Sequence, residues 1–137
     1  MGAVEFTDLY LTPKGHRDRG PRDAFDRLVR EARDYNGHRE GYSGDIQTVS
    51  GYHLVSPMTL KRAKRLVEKY WAWEDNAASW SIYEQYGGAQ KPRGKRLENP
   101  LGSFTVQKWE ACVCVPIKAS ADTNMQRGYL FFGLAAC

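Results

Sequence analysis

The chain has 137 residues, 42% hydrophobic, 26% charged and 12% aromatic, a composition that excludes disorder and suits a single folded domain spanning 1–137. It contains no apolar run of about 18 residues, so no membrane span is expected. The net charge of +4 and pI near 9.0 point to anionic partners, while the modest excess argues against a dedicated DNA binder.

Val4 to Leu11 reads as a first strand, with a bulge expected near Asp8 because Val4 and Phe6 share one parity and Leu9 and Leu11 the other. Lys14, His16, Arg17, Arg19 and Arg22 then make a basic connector that reads as a solvated loop. Pro21 suits the first turn of a helix whose apolar face is Ala24, Phe25, Leu28, Val29, Ala32 and Tyr35, with opposite charges four apart on the other side, as in Asp23/Arg27. Asn36-Gly37 ends it.

Asp45 to Val49 and Tyr52 to Val55 are β-prone and read as a hairpin turning at Ser50-Gly51. Ser56-Pro57 introduces a second helix, with Leu60, Ala63, Val67, Tyr70 and Trp71 on its apolar side, which is expected to stop near Asp75-Asn76. Trp80 to Tyr86 alternates and reads as a strand, and residues 91–102 as a basic flexible flap. Phe104 to Lys118 reads as the longest strand, bulged near Gln107-Lys108, and Tyr129 to Ala136 as a strand covered on both faces. The expected fold is therefore α+β, a mostly antiparallel sheet of about five to six strands with two amphipathic helices packed on one face.

For chemistry the most concentrated stretch is Gly37 to Thr48. It combines Gly37, Gly41 and Gly44 with His38, Arg39, Tyr42, Ser43 and Thr48, the makings of a backbone cradle for an anion. A helix C-terminus precedes it, which rules out a P-loop, and the Gly41-to-Gly44 spacing is one residue short of a hydrolase elbow. Arg39, Ser43, Gly44 and Thr48 are the candidate phosphate contacts, Tyr42 the stacking partner, and Arg93, Lys95 and Arg96 a closing cover. Tyr52, Trp73, Trp80 and Tyr83 are further stacking candidates.

His38 and His53 flank the same stretch, and as an acid and a base they would suit phosphodiester cleavage. No histidine or cysteine pair has zinc-ligand spacing, so neither a metal nor another cofactor is expected, and Cys112 and Cys114 read as small buried hydrophobes on one strand face. Three cysteines without a disulfide framework, and a start without a basic-then-apolar leader, suggest a cytoplasmic protein.

Gly41-Tyr42-Ser43-Gly44-Asp45-Ile46-Gln47-Thr48, together with Tyr129-Leu130-Phe131-Phe132-Gly133-Leu134-Ala135, resembles segments of small accessory proteins of phage and prokaryotic genomes. The resemblance covers those two segments and brings no catalytic residues with it. It implies counter-defence by sequestration, in the host cytoplasm if the gene is a phage's. The leading expectation is thus a non-enzymatic binding protein for a nucleotide or nucleotide-derived signal. The alternatives are a histidine phosphodiesterase, and an inhibitor that docks on a host enzyme or nucleic-acid complex through an exposed strand at Trp80–Tyr86. Edge strands would also permit a homo-oligomer.

Overall fold

The computed structural model describes residues 2–36, 44–87 and 90–137. Its regular elements are β1 (Ala3–Leu11), α1 (Gly20–Asn36), β2 (Tyr52–Leu54), α2 (Leu60–Tyr86), β3 (Cys112–Ile117) and β4 (Gly128–Ala136), with 3-10 turns at Ile46–Thr48 and Ala121–Thr123. The fold is α+β, built on a four-stranded mixed sheet in the order β1-β4-β3-β2. β4 runs antiparallel to both β1 and β3, and β2 lies parallel to β3. The chain divides into two compact units, Met1–Ala63 with Val106–Cys137, and Lys64–Thr105. No helix among the described residues is long and apolar enough to cross a membrane.

In the first unit the sheet is held by β4, where every residue except Leu134 is buried, as its uninterrupted apolar run requires. Tyr129, Phe131 and Ala135 join Cys112 and Cys114 in the core shared with α1, and Leu130, Phe132, Val113 and Val115 are buried as well. α1 contributes Ala24, Phe25 and Ala32, with Leu28 and Val29 packed alongside. Phe25, Tyr52 and Phe131 form a three-ring cluster with centroids 5.4 to 5.9 Å apart, each contact worth about 1 kcal/mol beyond burial. Gly133 is required here, since a Cβ on it would lie 2.9 Å from that of Cys112.

The second unit begins within α2. Tyr70 is fully buried, with Trp71 and Trp73 rings 5.1 and 5.6 Å away, and its hydroxyl donates to Glu74 Oε1 at 2.7 Å. Residues 91–102 carry no helix or strand, yet they are tied to α2. The Leu97 N–H donates to Asn76 Oδ1 at 2.9 Å, and the Arg96 guanidinium lies 4.8 Å over the Trp80 ring while pairing with Glu84.

Several expectations need correcting. The sheet has four strands, one pairing is parallel, and β1 pairs with β4 without a bulge. Leu9 is instead exposed on β1, an edge strand of the sheet. Tyr35 lies off the apolar face of α1, 89% exposed. The expected strand at Asp45–Val49 is a 3-10 turn, because the Asp45 carboxylate accepts the Ile46 N–H at 2.7 Å and so offers the backbone an alternative to a ladder. No hairpin follows, since Ser50 and Gly51 bond across to Glu110 and Cys112. Trp80–Tyr86 is the last part of α2, which runs past Asp75-Asn76. The parity break before β3 is a turn, with the Glu110 N–H bonding Gln107 O at 3.2 Å and Trp109 at φ +70°, so β3 starts only at Cys112.

Candidate functional site

Strand register brings Leu11, Gly128 and Ile117 into one row at one end of the sheet. The β1–α1 loop and the β3–β4 loop therefore leave the sheet side by side. They are stitched together by the Thr12 N–H bonding Arg127 O at 2.8 Å and by the Gln126 side-chain amide donating to Thr12 O at 3.0 Å. Within the first loop Gly15, at φ +79°, closes a turn in which the His16 N–H bonds Pro13 O. Within the second, the Thr123 hydroxyl donates toward Gln126 O at 2.7 Å and toward Ser120 O at 3.1 Å, which fixes the turn from inside.

Between the loops lies a cavity of about 650 Å³, within the size range of small-ligand sites. Its charged lining is Lys14, Asp18 and Arg127, with the imidazole of His16 beside them. Two smaller cavities share Asp18 with it. One adds Arg17 and Arg19, and the other adds Lys118. Lys14, Arg17, Arg19, Lys118 and Arg127 make no ion pair among the described residues, whereas nearby Arg27 and Arg22 are already paired with Asp23 and Asp26 at 2.8 and 3.3 Å.

Asp18 is the one carboxylate lining the large cavity, and it is engaged from two sides. The Tyr129 hydroxyl donates to its two oxygens at 3.0 and 3.1 Å, and the Gly20 N–H donates to Oδ1 at 2.9 Å. Burial, and the bond to Asp18, push the Tyr129 phenol up to about 12, so it stays a donor at neutral pH. The start of α1 is thus capped from within, with Asp23 in its first turn, and the positive potential of the cavity comes from side chains. Cations around a concavity whose lining carboxylate already has its oxygens occupied by donors favour an anion, and a bidentate Arg suits a phosphate or carboxylate.

The glycine-rich stretch begins where α1 ends and leads to the opposite end of the sheet. His38, Arg39, Tyr42 and Ser43 lie outside the described residues. Gly44, at φ +73°, donates its N–H to Ala136 O at 2.6 Å. Thr48 is buried, and its hydroxyl both donates to Asp45 O and accepts the Ala136 N–H at 3.0 Å, so that oxygen serves the fold. His53 is exposed on β2, and Tyr52 is part of the ring cluster. Arg93 and Lys95 are exposed in the second unit, where Arg96 is held by Trp80 and Glu84. Of the expected phosphate contacts, Arg39 and Ser43 thus lie outside the described residues, Gly44 and Thr48 belong to the first unit, and the expected cover of Arg93, Lys95 and Arg96 belongs to the second.

Sequence reasoning singled out the basic connector but assigned it to solvent, and it passed over Arg127. Nothing in the local sequence marks Arg127, which reaches the cavity through strand register. Midway along β1, opposite Phe131, Asp8 lies near Asp45 and Glu31, and burial together with those like charges raises its carboxyl to about 6. Burial also drives up the thiols of Cys112 and Cys114, the latter to about 12, which keeps both protonated and unreactive as packing groups. No group of three or more His, Cys, Asp or Glu among the described residues is arranged to hold a metal ion. Comparisons with protein-family models, with curated proteins and with solved structures gave no match.

Proposed function

We propose that this is a binding protein that captures a small phosphate-bearing anion of the nucleotide class in the cavity between the β1–α1 and β3–β4 loops. One observation carries the reading. Lys14, His16 and Arg127 converge on a concavity of about 650 Å³ whose single carboxylate is already bonded to a phenol and a backbone amide. A concave site favours a small ligand over a polymer, whose phosphates are met by an extended basic stripe. The resemblance to small phage accessory proteins gives such capture a setting, the sequestration of a nucleotide-derived signal.

The test is thermal unfolding with inorganic pyrophosphate and a panel of mono- and cyclic nucleotides, at low and high salt. At about a hundredfold excess over Kd, one ligand should stabilise the protein by roughly 2.7 kcal/mol, less at high salt, and should be recovered intact by chromatography. The double substitution of Lys14→Ala with Arg127→Ala should abolish the shift while Lys91→Ala with Arg93→Ala leaves it. No shift with any anion at low salt would discard the proposal.

A further inference from the structure

The cavity is not uniformly polar. Pro13, Ala119 and Met125 line it beside the cations, and Met125, 69% exposed, is one of several large apolar side chains on the surface. What sets Met125 apart is its backbone. Asn124 and Met125 are consecutive residues in the left-handed region, at φ +55° and φ +62°. Asparagine tolerates that region, but an unbranched apolar side chain gains nothing by it, and glycine is the ordinary choice. The conformation is enforced by the turn, since the Met125 N–H bonds Ser120 O at 2.8 Å and the Asn124 N–H bonds Ala121 O at 3.3 Å. A residue in the left-handed region whose largely exposed side chain lines a cavity is placed where a ligand can supply its contact.

Resting on the proposed anion site, we infer that Met125 is a specificity residue, a thioether platform that takes the flat apolar part of the ligand while Lys14, His16 and Arg127 hold its anionic end. The ligand class is then narrower than a phosphate. It is a phosphorylated molecule carrying an aromatic base, and a polarisable, adaptable thioether suits the face of such a ring. A sugar phosphate or a bare diphosphate would fill only the cationic half.

Calorimetric titrations of pyrophosphate, ribose 5-phosphate and ADP against the full chain at low salt test this. ADP should bind on the order of tenfold more tightly than either of the others, as expected for one stacked base. Met125→Asn, which keeps a residue suited to the left-handed region and removes the apolar surface, should bring ADP to within about twofold of ribose 5-phosphate and leave pyrophosphate unchanged. Met125→Gly should do the same and also melt higher than the parent, because the strain is relieved. Equal affinity of the parent chain for ADP and pyrophosphate, or an ADP preference that survives both substitutions, would overturn the role of Met125 while leaving the anion site standing. Failure of pyrophosphate itself to bind would instead remove the anion site, and this inference with it.

Discussion

Asp18 sets the charge of the cavity and the shape of the loop around it. Its carboxylate joins the start of α1, through Gly20, to the first residues of β4, through Tyr129. Those donors satisfy the oxygens without removing the negative charge, so an anion bound beside Lys14 and Arg127 still feels it. Asp18→Asn keeps an acceptor for the Gly20 N–H and removes that charge. The variant should bind pyrophosphate about fivefold more tightly, equivalent to about 1 kcal/mol, and lose no more than about 1 kcal/mol of stability. Calorimetry and a denaturant melt on the same sample read both effects. Unchanged affinity would mean that the ligand sits beyond the reach of Asp18.

At the scale of elements, periodicity was readable where burial is one-sided or complete, and it misled where aromatic residues dominate. α1 and β4 followed their patterns, with Phe25 and Ala32 inward on the helix and Phe131 and Phe132 both covered. Trp80 to Tyr86 carries aromatic residues with strong β preference, but Trp73, Ala77, Trp80 and Glu84 also stand at helical spacing, and that longer pattern prevails in α2. Asp45 was similar, because a single side-chain bond to the Ile46 N–H turned a β-prone run into a 3-10 turn. The same turn has a further consequence, because Asp45 and Glu31 of α1 meet Asp8 of β1. A carboxyl raised from 3.8 to about 6 favours its neutral form in the folded chain. Its contribution to stability is therefore complete below about pH 4 and is lost as pH rises through 6. Asp8→Asn should melt higher than the parent at pH 7 and converge with it toward pH 4, and melting curves from pH 4 to 8 check the sign. A variant that is less stable at pH 7 would show that the charged form of Asp8 is the one the fold uses.

For the whole molecule, net charge raises the expectation of an anionic partner, but the place where charge gathers depends on topology. The sequence offers two candidate regions, the glycine-rich stretch and the run at 91–96, and reads a third basic region, the connector at 14–22, as a solvated loop. Only the pairing of β1 and β3 with β4 brings Arg127 beside Lys14, a separation of more than a hundred residues that no local pattern reveals. Of the glycine-rich stretch, Gly44 lies at the other end of the sheet, where its N–H bonds Ala136 O. These regions make different predictions for one experiment. A bound anion slows amide exchange where it suppresses local opening, and each region falls in a separate peptide of a protease digest. With saturating pyrophosphate at low salt, protection should rise in peptides covering 12–20 and 118–128, and stay unchanged in those covering 64–105. Protection confined to 37–44 would return the site to the glycine-rich stretch, and protection confined to 90–97 would move it to the second unit, where Arg96 would have to leave Trp80 and Glu84 to reach the ligand.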